Sequence, residues 1–103
     1  MEFVAFLKFR SSVPGAERDA ALMRRASWQY PTGTTMIAEY WPLSGDCQVV
    51  PVFRADTFGP IMEVESEWND VFDISIFPAV SAEVGLQVGA DVFSRLPRMQ
   101  TPQ

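Results

Sequence analysis

Trp68-Asn69-Asp70-Val71-Phe72-Asp73-Ile74-Ser75-Ile76-Phe77-Pro78 is the stretch on which the fold turns. Phe72, Ile74 and Ile76 alternate with Asp73 and Ser75, the period-two pattern of a strand with one dry face and one partly polar face. The strand is expected over 71–77, with Pro78 ending it because proline has no N–H to give to a sheet ladder. Trp68 and Asn69 precede it as the close of a helix.

Upstream, the pattern supplies the partners that such a strand needs. Residues 3–10 read as a strand with Phe3, Ala5, Leu7 and Phe9 on one face and Val4, Phe6, Lys8 and Arg10 on the other. Ser11-Ser12-Val13-Pro14-Gly15 punctuates the chain before a helix over 16–29, rich in Ala, Leu, Met and Arg. Strands over 34–41 and 47–54 flank the turn Pro42-Leu43-Ser44-Gly45-Asp46 and form a hairpin. Pro51 within the second of these requires a bulge or a local edge. Asp56 or Thr57 can cap the next helix, on which Phe58, Ile61, Met62 and Trp68 keep a helical spacing, and Gly59-Pro60 fits only its first turn.

The order is therefore βαββαβ, an α+β arrangement of ferredoxin-like type with one antiparallel sheet and two helices on a single face. After Pro78, Ser81 is a suitable N-cap, and Val80, Val84, Val88, Val92 and Leu96 recur every fourth residue, so an added C-terminal helix is expected over 81–95. Gly85 and Gly89 lie on one side of it, and their cost in a helix, on the order of 1 kcal/mol each, points to close packing against another element. One domain over 1–96 and a loose tail over 97–103 complete the reading. Apolar residues on both strand faces, in a chain too short for a second covering layer, imply that the bare sheet face is buried by another copy, most simply in a two-fold homodimer.

Composition narrows the chemistry without naming it. The chain has 103 residues, 48% hydrophobic and 20% charged, with one cysteine, Cys47, and no histidine. No intrachain disulfide is possible, and the usual zinc, copper and haem ligand sets are missing, so no metal or cofactor is expected. Ser-His-Asp and Cys-His schemes are excluded, and proton transfer would fall to a carboxylate, Tyr, Lys, Cys or water. The net charge is −5, and residues 26–94 carry ten acids against one base, Arg54, which argues against nucleic acid as a partner. Arg18, Arg24 and Arg25 on the first helix complement Glu63, Glu65 and Glu67 on the second. No apolar run approaches the roughly 18 residues of a membrane span, and the apolar start carries charges where a signal peptide needs its cleavage site. A cytoplasmic protein is expected.

Trp68-Asn69-Asp70, followed by a strand that ends in Pro78, together with residues 3–10 and Gly33 before the second strand, resembles the dimeric α+β barrel superfamily. Within it, the chain is similar to a small family of uncharacterised proteins. The likeness covers roughly residues 3–80; Pro51 and the long C-terminal helix depart from its simplest pattern. The superfamily includes cofactor-independent monooxygenases, muconolactone isomerases, haem-degrading enzymes and stress-response proteins, so the fold alone does not define the activity. With no histidine as an axial ligand, haem chemistry is not expected. The resemblance implies a homodimer that binds a small hydrophobic or aromatic molecule, as a cofactor-independent monooxygenase, isomerase or cyclase of secondary metabolism. The alternative is a non-catalytic binding or stress-associated module.

The expected site residues follow from strand geometry. Tyr40 and Trp41 are consecutive, so one of them should reach the shared cavity, where an aromatic ring can stack on a planar ligand; core filling is the plainer alternative. Glu39 and Asp73 are carboxylates inside strands, with Lys8, Arg10 or Arg54 as expected partners. As an enzyme, the chain would use Asp73 or Glu39 to take a proton and Tyr40 or Arg10 to stabilise enolate charge, with Ser75 sharing the polar face of Asp73. Trp68 and Asn69 are similar to the Trp and Asn of some cofactor-free monooxygenases, the structural alternative being a helix-ending Trp with a capping Asn. Cys47, Trp28 and Tyr30 read as structural.

Overall fold

The computed structural model describes residues 1–96; the expected tail, 97–103, lies outside the described residues. The elements are β1 (Glu2–Phe9), α1 (Gly15–Ser27), β2 (Thr34–Tyr40), β3 (Val50–Ala55), α2 (Phe58–Trp68), β4 (Phe72–Ala79) and α3 (Ala82–Ser94). The four strands form one sheet in the order β2-β3-β1-β4, every neighbour antiparallel, consistent with a ferredoxin-like α+β fold.

One sheet face carries the core. Ala5, Leu7 and Phe9 of β1, Phe53 of β3 and Phe72 of β4 are buried there with Ala21 of α1 and Trp68 of α2. Phe9 stacks on Phe72 at 4.7 Å between ring centroids, and Phe3 on Phe53 at 5.7 Å. These are cross-strand pairs placed by register. The opposite face is bare: Phe6 is 42% exposed, Phe77 51% and Tyr40 65%.

Each proline in the sheet is accommodated differently. Between β1 and β3, pairing runs from Glu2↔Arg54 to Val4↔Val52 and resumes without change of register at Leu7↔Val49. Pro51 lies in the gap, where its missing donor interrupts the ladder without requiring a bulge on its own strand. Pro78, expected to stop β4, is inside it and pairs with Phe3. β4 is an edge strand, and one side of an edge needs no donors.

The irregularity falls on β2. Met36 pairs with Phe53 but Ala38 with Val52, leaving Ile37 as an extra residue. A bulge exchanges the faces of everything beyond it. Glu39 thereby turns to the helix side and Tyr40 to the bare side. Before β2, Gly33 has φ +97°, and a Cβ there would lie 2.7 Å from Pro60 Cγ of α2. Only glycine fits that turn.

The helix ends match local chemistry. Ser81 caps α3, its hydroxyl accepting from the Val84 N–H at 3.2 Å. Thr57 precedes α2 without a side-chain cap bond. Asn69 follows α2, its N–H bonding Glu65 O at 2.9 Å. Only Val64 and Trp68 of α2 are buried, while Phe58 is 71% and Met62 54% exposed, so the apolar face expected for this helix is only partly used. α3 has no buried residue at all. Among the described residues, no helix is long and apolar enough to cross a membrane.

Candidate functional site

The β2 bulge creates the most organised polar cluster in the chain. Glu39 meets Arg25, which follows the buried Ala21 by one turn on the inward stripe of α1. The Arg25 side chain is fully buried and that of Glu39 is 17% exposed. Arg25 Nε donates to Glu39 Oε2 at 3.1 Å and Nη2 to Oε1 at 2.8 Å, a bidentate fork. Trp41 Nε1 donates to Oε2 at 2.9 Å, and the Tyr30 hydroxyl donates to Oε1 while accepting from Arg25 Nη2 at 3.1 Å. The expected partners Lys8, Arg10 and Arg54 are therefore replaced by a residue on the first helix.

Aromatic faces enclose the guanidinium. Its carbon lies 4.4 Å from the Trp28 ring centroid, 5.0 Å from that of Trp68 and 5.4 Å from that of Tyr30. Arg25 Nη1 has no hydrogen-bond acceptor; indole faces are its surroundings, and their negative quadrupoles attract the cation. Trp68 Nε1 is likewise buried without a partner. Arg24 also packs over the Trp68 ring, 4.1 Å from its centroid, and bridges to Asp70 at 3.2 Å. The Trp28 indole N–H donates to the Glu67 carboxylate and Arg24 Nη2 to the Glu67 carbonyl, while the arginines of α1 take their ion pairs from Asp70, beyond α2, and from Glu39 of β2 rather than from Glu63, Glu65 or Glu67.

Protonation follows from these contacts. Burial alone would raise the Glu39 carboxyl, but the donors Arg25, Trp41 and Tyr30 outweigh it and hold it below its ordinary 4.5. Burial, reinforced by the bond to Glu39, pushes the Tyr30 hydroxyl above its ordinary 10.0. Arg24 holds the Asp70 carboxyl low. A carboxylate that accepts four hydrogen bonds and titrates low is poorly suited to act as a base. The cleft of about 470 Å³ beside it is lined by Trp28, Gln29, Met36 and Trp41 together with Arg25, Tyr30 and Glu39, and the Glu39 carboxylate within it is already engaged by its donors.

The remaining expected residues are dispersed. Asp73 and Ser75 do share the bare sheet face, opposite Lys8 and Phe6 on β1, and both are exposed. Asp73 lies 3.9 Å from Arg10, whose Nε donates to the Asn69 carbonyl at 2.8 Å. Asp73 also borders a polar cleft of about 410 Å³ with Lys8, Arg18 and Gln48. Tyr40 stands on the opposite edge strand, three strand spacings or roughly 14 Å away. Within one chain, Asp73 and Arg10 are neighbours, Glu39 and Trp41 are neighbours, and the two sets do not meet. Trp68 and Asn69 are the buried helix end and its cap. Cys47 lies just before β3, its thiol 3.4 Å from the Val49 carbonyl.

A larger concavity than either cleft lies elsewhere, an apolar cavity of about 690 Å³ between α2 and the helix-side sheet face. Phe3, Ile61, Ile74 and Ile76 form its floor, and Met1, Phe58 and Met62 its rim. Glu65, Asp56 and Thr57 are the polar side chains at its margin. Sequence reasoning placed Phe58, Ile61 and Met62 on a packed helix face and Phe3, Ile74 and Ile76 on strands, and it missed the cavity between them. It also missed Arg25, whose spacing from Ala21 was the available sign of an inward arginine.

Among the described residues, no group of three or more Cys, Asp or Glu is placed to hold a metal ion. Neither the curated proteins nor the solved structures gave a match to this chain. A family model described as a domain of unknown function, DUF3303, matches residues 1–93, which takes in all four strands and nearly all of α3, and the chain belongs to that family.

Proposed function

We propose that this chain is a homodimeric binding protein for a small apolar molecule, built as a dimeric α+β barrel. The observation that carries the reading is the cavity of about 690 Å³ with its floor of Phe3, Ile61, Ile74 and Ile76. Its size falls in the range of small-molecule sites, which are mostly apolar with a few polar groups at the edge. A planar hydrophobic ligand would lie on that floor, with Thr57 and Glu65 as the polar contacts at the mouth.

Pairing of two chains through the bare sheet face is supported by its exposed Phe6, Phe77 and Tyr40. Phe6 and Phe77 are already in contact at 6.1 Å, forming an apolar centre for a two-fold interface. Binding without catalysis is supported by where the carboxylates lie. Glu39 is saturated and Asp73 faces solvent, whereas a general base belongs in a desolvated position against the substrate.

Titration with 1-aminoanthracene, a planar apolar fluorophore, tests the cavity. Binding is expected, and Ile76→Trp, which fills the floor, should weaken it at least tenfold. Equal affinity in both proteins would place the fluorophore elsewhere and defeat the reading. Sedimentation at micromolar concentration should give a dimer that Phe6→Asp with Phe77→Asp converts to monomer.

A further inference from the structure

α3 is an apolar helix that its own chain does not bury. Glu83, Gln87, Asp91 and Ser94 make one polar stripe, and every other residue from Ala82 to Phe93 is apolar or small. Such a helix belongs in an interior rather than on a surface. Yet Leu86 is 75% exposed, Val88 53% and Phe93 53%. Thirteen residues with Gly85 and Gly89 among them are too few to hold a helix in water without a packing surface. The family match includes α3 through residue 93, so the helix belongs to the domain.

The cavity has the complementary deficiency. Its rim residues Phe58 and Met62 are 71% and 54% exposed, an apolar lip with nothing seated on it. The helix starts beside that mouth: Ala79, the end of β4, pairs with Glu2, next to the rim residue Met1. Only Val80 and Ser81 connect β4 to α3, and Ser81 is held extended as the N-cap. No residue of α3 lines its own chain's cavity. A groove also covers one side of a helix, whereas the apolar surface of α3 extends round more than one, so its burial calls for surfaces from two chains.

We infer that α3 is an arm exchanged between two copies, each arm lying across the partner's rim of Phe58 and Met62 and roofing the cavity beneath. The inference rests on the cavity being the ligand site and deepens it: the site is complete only in the dimer, with residues of the partner's helix as its ceiling. Ligand capture and arm exchange are then linked, because the arm excludes water from the same apolar floor.

The test uses full-length chains with Cys47→Ser. One chain carries Phe58→Cys or Met62→Cys, the other Val88→Cys or Val92→Cys, giving four mixtures for oxidation. At least one mixture should yield a disulfide-linked heterodimer at twice the chain mass. Absence of a cross-link in all four overturns the inference. So does an intrachain disulfide at single mass when both cysteines are placed on one chain, because α3 then covers its own cavity. 1-Aminoanthracene affinity separates the two claims. Probe binding that Ile76→Trp blocks, without any chain-to-chain cross-link, preserves the cavity and removes the arm. A cross-linked dimer that does not bind the probe keeps the arm contact and removes the ligand site, and with it the roofing role. If both hold, Leu86→Glu with Phe93→Glu should lower probe affinity at least fivefold; unchanged affinity would overturn the roofing role.

Discussion

At the α1 end of the helix layer, both Glu39 oxygens are engaged and the Arg25 side chain is wholly buried; at the α2 end, Phe58 and Met62 stand in solvent around an apolar hollow. The polar corner resembles an active site by composition, with Arg, Glu, Tyr and Trp together, yet each group is spent on another. The apolar end has little chemistry and a larger hollow, about 690 Å³ against about 470 Å³ beside the polar corner. Charged clusters in this chain therefore serve to fix the fold, and unsatisfied apolar surface is where something else must bind.

The strongest way to break that contrast is at Glu39. Removing one member of a buried ion pair strands the other charge, which costs about 3–5 kcal/mol. Glu39→Ala should lose stability on that scale in urea unfolding. Arg25→Met combined with Glu39→Leu should recover most of it, because two apolar side chains need no partners. A loss below about 1 kcal/mol for Glu39→Ala would mean that the corner is not structural, and its claim to be a reactive site would return.

Next in size is the turn that ties the two ends together. Gly33 sits before β2 at φ +97° against Pro60 of α2. Gly33→Ala adds both a left-handed penalty and a clash, together about 2 kcal/mol. A smaller variant tests the hydrogen bonds: Tyr30→Phe should cost about 1 kcal/mol. The pH profile should carry the signature of both residues. The Glu39 carboxyl titrates below its ordinary 4.5 in the folded chain, so its contribution is present above that value and is lost as pH falls through the lowered pKa. The raised Tyr30 hydroxyl contributes fully below its ordinary 10.0, and that contribution is lost as pH rises through the higher folded value. Tyr30→Phe should flatten the alkaline limb, measured as melting temperature against pH. An unchanged limb would remove Tyr30 from the network.

Much of the architecture was legible because strand and helix periods are local. The alternation Phe72, Ile74, Ile76 against Asp73 and Ser75 identified β4 and its two faces, and Ser81 marked the start of α3. Pro78 misled because tolerance of proline depends on whether a strand lies at the edge, which only the sheet order decides. The partner of Glu39 was hidden for a related reason. One extra residue, Ile37, reverses the faces beyond it, and nothing in Thr34-Thr35-Met36-Ile37-Ala38-Glu39-Tyr40 marks the bulge. The cavity was hidden because an apolar helix stripe looks the same whether it fills a core or rims a hollow. Phe58 and Met62 keep the spacing of buried residues and are exposed.

The smallest effect is expected at the residues that looked most reactive. Asp73 is 66% exposed at its side chain, Arg10 47%, and their separation is 3.9 Å, a solvated ion pair of little worth. Ser75 is exposed beside them. Asp73→Asn and Ser75→Ala should each change stability by less than about 0.5 kcal/mol, as surface substitutions do, and should leave 1-aminoanthracene affinity within twofold. A tenfold loss in Asp73→Asn with stability unchanged would show that the polar sheet face reaches the ligand, and the binding role would then shift from the α2 cavity to the surface shared by two sheets.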